Sequence, residues 1–264
     1  MTSLLPHEAA SVLYAVAAFI GFRGARRGYS PRAVAWVMFA AVLPHAWGFV
    51  WLHGQDPPVS LSTFPAALSL IGLLVPVSFL LSLRIVRVRE VGAWVAALSA
   101  LLTAIAAAGL RFSAPIAASE AETGALSHAH VLLSTLGFSL LALSSVAGVA
   151  YLAKKRALKG KSPARFALPS LESLDRMAHF TLTFGYPLLT LGVVSGFVWG
   201  IRHGYSPWSG HTLWLLVAWV VYLLPIGMRV IGHQHGDRPA RGAVLGFALL
   251  AFSYIGIRLL GGAA

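Results

Sequence analysis

Ten histidines stand in a chain that contains no cysteine. Imidazole can ligate iron or other transition metals, exchange protons near neutral pH, and hydrogen-bond through either ring nitrogen. The lack of thiols excludes a disulfide, a CxxC redox pair, a thiolate metal site and thioether attachment of heme to this chain. Histidine chemistry is therefore the first place to look for a site.

His45 is placed most unusually, in the segment Pro44, His45, Ala46, Trp47, Gly48. It falls about eight residues before the end of an apolar run, roughly 12 Å below that end at the helical rise. Two readings fit. Pro44 frees a backbone carbonyl one turn back, which His45 could satisfy at a kink. Alternatively His45 ligates a metal or a heme iron, because an ionisable group at such depth is a functional candidate.

His128 and His130 open a later apolar run two positions apart, which separates them by about 200° on a helix. Only one can face a bundle interior, and His130 is favoured as the ligand. His203 and His211 bracket the loop from Gly204 to Gly210, close to Trp199, Trp208 and Trp214. These tryptophans form either an interfacial aromatic belt or a platform for a flat, partly hydrophobic cofactor whose iron a nearby histidine reaches. Gly192, Gly196 and Gly200 share one helical stripe at four-residue spacing, a small-residue pattern for close helix approach. His233 and His235 sit in a basic loop, where solvation is the plain reading and an inner cofactor path the alternative.

The elements that must position these residues follow from hydropathy. The 264 residues are 58% hydrophobic and 11% charged, with mean hydropathy +0.77. Runs long enough to cross about 30 Å of hydrocarbon cover residues 4–22, 33–52, 61–83, 91–110, 128–153, 180–201, 211–231 and 243–260. The expected fold is all-α: one polytopic domain over residues 1–264 with about eight transmembrane helices. The first run has no basic residues ahead of it and no small-residue cleavage site after it, so it reads as a retained helix.

Seventeen of the 20 Lys and Arg residues fall in alternate loops. They lie at Arg23–Arg32, Arg84–Arg89, Lys154–Arg176 and Arg229–Arg241; only Arg111, Arg202 and Arg258 lie on the other side. Basic loops are retained in the cytoplasm, so both termini are expected outside a bacterial inner membrane. The net charge of +12 then reflects topology and contact with anionic lipid, not nucleic acid. On this topology His7, His53, His128, His130, His203 and His211 lie near the outer face, and His179, His233 and His235 near the inner one. Pro76, Pro187 and Pro225 should kink spans three, six and seven. In the longest connection, Ser170 can cap a short interfacial helix with Glu172 and Asp175 in its first turns.

All eight acidic residues lie in or beside loops. An ion- or proton-coupled transporter needs an ionisable group near the midplane, so that class is disfavoured.

Several stretches together resemble the CcsA/HemX-type cytochrome c assembly family, most closely its YpjD-like inner-membrane branch. They are His130–Ser139, Leu171–Met177, Pro187–Trp199 and Trp219–Tyr222. The resemblance covers nearly the whole length. It implies heme handling: the best-known members present heme, bound without a covalent link, at the outer face for attachment to apocytochrome c, using histidines beside a tryptophan-rich loop. Carried over, His130 matches the outer histidine that begins span five, and His45 a histidine of span two in the YpjD-like branch. The tryptophan loop departs from the family pattern Trp-Asp-Pro-Lys-Glu-Thr-Trp, reading Trp208, Ser209, Gly210, His211, Thr212, Leu213, Trp214. Gly227 replaces the histidine of span seven, and no histidine follows the last span. His211 is a further candidate ligand opposite His130, on our reading of the loop and not as a family feature.

The expected function is heme binding or transfer in cytochrome c maturation, together with partner proteins and without catalysis by the isolated chain. The alternatives are an accessory or regulatory protein of the same fold that has lost heme handling, and a heme or metal transporter component.

Overall fold

The structure, a computed structural model, describes residues 4–27, 31–56, 58–112, 116–160, 168–204 and 210–256, the side chains of 25–27, 210–211 and 255–256 excepted. Among them are eight α-helices: α1 Leu5–Arg27, α2 Pro31–His53, α3 Phe64–Ser82, α4 Gly92–Phe112, α5 Ala125–Lys159, α6 Leu171–Arg202, α7 Gly210–Val230 and α8 Asp237–Ala251. The described residues contain no strand, only an isolated bridge between Val59 and Ala117.

Lipid offers the backbone no hydrogen-bond partner, so apolar runs of this length must close their bonds within a helix. Seven helices, α1 to α7, are long and apolar enough to cross a membrane. The expected eighth span begins within α8, which starts earlier at Asp237, is 15 residues long and runs into a π turn at Phe252–Gly256. Its last expected residues, 257–260, lie outside the described ones. Helices α2, α3, α6 and α7 continue through Pro44, Pro76, Pro187 and Pro225.

The helices pack as two halves. In the first, α1 lies against α2 and α4, and α3 against α4; in the second, α5 lies along α6 and α8, and α7 against α8. The seam runs along α3 and α5. The α5–α6 contact is the most extensive, and glycines explain it: a Cβ on Gly137 would stand 2.8 Å from Leu189 Cα, and one on Gly192 2.8 Å from Ser134 Cα. Two backbones at that distance admit no side chain between them, which is what small residues permit in a bilayer.

Ser170 caps α6, its Oγ accepting from the Ser173 N–H at 3.1 Å. Among the described residues no separate interfacial helix precedes the span, because Leu171 to Arg202 is continuous. At this basic end, Lys155 pairs with Asp237 at 2.6 Å, fixing the start of α8 to α5.

Candidate functional site

A cavity of about 270 Å³ opens at the end of the bundle opposite the basic loops. His53 at the end of α2, His128 and His130 at the start of α5, Trp199 near the end of α6, Tyr254 and Glu122 all line it. It therefore sits where the two halves meet.

The three imidazoles share one arrangement. His130 Nδ1 donates to the Gly192 carbonyl at 2.7 Å, His53 Nδ1 to the Val59 carbonyl at 2.9 Å, and His128 Nδ1 to the Gly124 carbonyl at 3.0 Å. A carbonyl can only accept, so each bond fixes the Nδ1–H tautomer and leaves Nε2 with a lone pair. That is how a metal-binding histidine is oriented. Nε2 of His53 is buried and has no partner. Among the described residues, no three His, Asp or Glu side chains are grouped to hold a bare metal ion. An iron already held by four porphyrin nitrogens needs only one or two such imidazoles.

Gly196 gives His130 its seat: a Cβ there would lie 2.6 Å from His130 Nδ1. The glycine stripe expected to serve helix packing thus also receives an imidazole. His130 is half-buried and His128 exposed, yet both line the cavity, because the connection before α5 folds over the helix start. Trp199 donates its indole N–H to the Ala121 carbonyl at 3.1 Å, which ties α6 to that same connection.

Two connections roof the cavity and are joined to each other. Ser60 N–H donates to the Ile116 carbonyl at 2.9 Å and Ala118 N–H to the Pro58 carbonyl at 2.8 Å. Glu122 reinforces them, accepting from Ser60 Oγ at 2.7 Å and from the Ser119 N–H at 2.9 Å. Burial opposes ionisation of Glu122, but hydrogen bonds from Ser62, the Ser119 backbone, Ser60 and the Ser119 hydroxyl outweigh it and hold the carboxyl below its ordinary range.

His45 lies elsewhere, fully buried inside the first half. Its Nε2 is 3.2 Å from Ser69 Oγ and its Nδ1 3.5 Å from the Tyr14 hydroxyl. His7 joins it, with Nε2 3.0 Å from the same Ser69 oxygen and the two rings edge to face at 5.4 Å. One hydroxyl hydrogen serves one nitrogen, so the other imidazole must donate to Ser69. Sequence patterning does not mark His7, from the start of α1, as a member of this cluster; α1 packs so closely on α2 that a Cβ on Gly48 would stand 2.8 Å from His7 Nδ1.

Of the remaining expected residues, Trp214 packs edge to face on Phe252 at 5.5 Å and is not among the cavity residues. Trp208 and the side chain of His211 lie outside the described residues. His203 is exposed, its Nδ1 donating to the Trp199 carbonyl at 2.8 Å.

The model of the cytochrome c assembly protein family matches residues 60–263, which include Glu122, His128, His130 and Trp199. The chain is similar to the cytochrome c biogenesis protein CcsA of Guillardia theta, at 32% identity over 151 residues, 50% of each chain. It is similar to that of Synechococcus sp. (strain CC9605), at 38% over 96 residues, 36% of this chain and 32% of the relative. For Chlamydomonas reinhardtii the figures are 28% over 134 residues, 50% and 37%. These alignments span half or less of each relative's own length. On the match that runs through the second half and its cavity, the chain belongs to the cytochrome c assembly protein family.

Proposed function

We propose that this protein binds heme non-covalently at the histidine-lined end of the bundle and hands it on in cytochrome c assembly, with partner proteins supplying the thiols it lacks. The observation that carries this reading is the His130–Gly192 bond of 2.7 Å, which leaves Nε2 as the metal-facing nitrogen beside Trp199. The residues fit the group: pre-oriented imidazoles for the iron and an indole for the flat ring. Heme supplies the iron and the vinyl groups to which an apocytochrome is joined. The protein's part would be to hold the group, His130 towards the iron and Trp199 towards the ring. A cavity of about 270 Å³ is smaller than the ~300–1,000 Å³ that encloses a drug-sized ligand, so this end of the bundle would hold the group without enclosing it.

Alternate-loop basic charge supports placing this end outside a bacterial inner membrane with both termini on that side. His211 is retained as a further ligand candidate on the same side.

His45 is the candidate for a second, buried position. Iron there would displace a hydroxyl, either Ser69 from Nε2 or Tyr14 from Nδ1. His45 also precedes the region matched by the family, so His130 stands first.

The test is an optical spectrum of the purified protein after heme is supplied. A Soret band that His130→Ala removes or shifts supports the reading, and His45→Ala reports on the buried position. No band, or a band unchanged in both variants, sinks the ligand assignment and leaves an accessory protein of the same fold.

A further inference from the structure

At the end that carries the basic loops, the two halves use their cationic side chains differently. In the second half Lys154 donates to the Leu168 and Pro169 carbonyls, Lys155 to Asp237, Arg176 to Glu172 and Arg229 to Asp175. In the first half the guanidinium groups of Arg87 and Arg89 make no hydrogen bond or ion pair among the described residues, although Glu90 adjoins them in sequence. Both instead line an open cavity of about 550 Å³, together with Pro31, Arg32, Leu83 and Glu90.

Three helix ends meet there: α2 begins at Pro31, α3 ends at Ser82, and a short turn at Arg89–Val91 leads into α4. The surface inside the cavity is mainly polar, and Arg32, Arg87 and Arg89 are all exposed, so an ion in the cavity can reach their nitrogens. Three guanidinium groups stand there against a single carboxylate. A concave surface with one dominant sign of charge concentrates the opposite ion. The positive end of the α2 dipole adds to that field, since the first turn of α2 holds no acidic residue. Of the anions available, phosphate matches the arginine fork best, because its oxygens can be taken two at a time.

The surroundings point to a phosphate carried by a lipid. Trp36 stands one turn from Arg32 on the same face of α2 and is 71% exposed, and Phe39 continues that exposed face. Ile85, between Arg84 and Arg87, is 61% exposed. The charged cavity therefore borders apolar surface of the kind a bilayer covers. The ends of membrane-spanning helices lie at headgroup level, and basic pockets between such helices suit anionic headgroups.

We propose that this cavity binds a phosphate group carried by an anionic membrane amphiphile, with Arg87 and Arg89 as the principal donors and Arg32 beside them.

The full chain, purified in a neutral maltoside detergent, is titrated calorimetrically with dodecyl phosphate, with dodecylphosphocholine and with inorganic phosphate. Saturable binding of dodecyl phosphate is expected, weakened about tenfold or more when Arg87→Gln and Arg89→Gln are combined. Combining Arg156→Gln with Lys159→Gln removes the same charge from exposed positions on α5 at the same end of the bundle, and should leave the affinity unchanged. All four side chains are exposed, so both double variants should fold. Weaker binding of inorganic phosphate supports a lipid as the source; equal binding supports a phosphate site served from solution. The proposal is overturned by the absence of saturable binding, by dodecylphosphocholine binding as tightly as dodecyl phosphate, or by equal weakening in the two double variants. None of the titrants contains iron and the cavity lies at the opposite end from the histidine-lined one, so this outcome is distinct from that of the Soret measurement.

Discussion

The imidazole of His130 occupies the space in which a side chain on Gly196 would begin. A Cβ at position 196 would stand 2.6 Å from Nδ1, the nitrogen held by the Gly192 carbonyl one turn away on the same helix. Orientation of the candidate ligand is thus a property of α6, although the ligand belongs to α5.

Gly196→Ala should therefore behave as a ligand mutant. The methyl group displaces the ring and breaks its anchoring bond, at a cost of about 1–3 kcal/mol from overpacking. Heme occupancy, read at the Soret band, is expected to fall toward that of His130→Ala while the helical content is unchanged. Gly227→Ala is the control, since a Cβ there meets nothing within 4 Å.

The roof of the cavity should loosen in acid. Glu122 has a folded-state pKa below its ordinary value, so its contribution is fully present above the unfolded value of about 4.3 and is lost as pH falls through the folded one. Amide hydrogen exchange around Ser60 and Ser119, measured downward from neutral pH and corrected for intrinsic rates, should lose protection in that window. Glu122→Gln should weaken protection at neutral pH and remove most of the pH dependence.

Ser69→Ala should destabilise the first half without touching the cavity. It leaves the Nε2 atoms of both His7 and His45 buried without their shared hydroxyl, which costs about 1–3 kcal/mol for a stranded group. A lower midpoint of thermal unfolding with an unchanged Soret band is the expected pair of results. Loss of the band in this variant would favour the buried position for iron.

Trp199→Phe keeps an aromatic face in the cavity and removes the N–H that binds the Ala121 carbonyl. Stability should fall by about 1 kcal/mol and exchange of the 116–123 segment should rise, while heme is retained. If heme is lost along with the N–H, the connection itself, and not the ring, is what the cofactor needs.

The membrane-spanning helices were legible in the sequence because a bilayer allows an apolar run few alternatives. Helical phase predicts that only one of His128 and His130 turns inward, and His130 is half-buried while His128 is exposed. What phase does not carry is how the connections fold: His128 and His53 join the cavity through loop hydrogen bonds set by Ser60, Ile116 and Glu122. His7 was no more legible, since its meeting with His45 depends on how α1 packs on α2. Even the glycine stripe of α6 was read only in part, because spacing reports that a neighbour comes close without reporting that the neighbour is an imidazole.

The seam between the halves has a mechanical meaning. His53 rides on the first half and His130 on the second, each clamped to a carbonyl of its own surroundings. The gap between their free nitrogens is thus a gauge of how the halves sit on one another. Any partner that tilts one half against the other would change that gap, and with it the grip on whatever lies between, without touching either histidine.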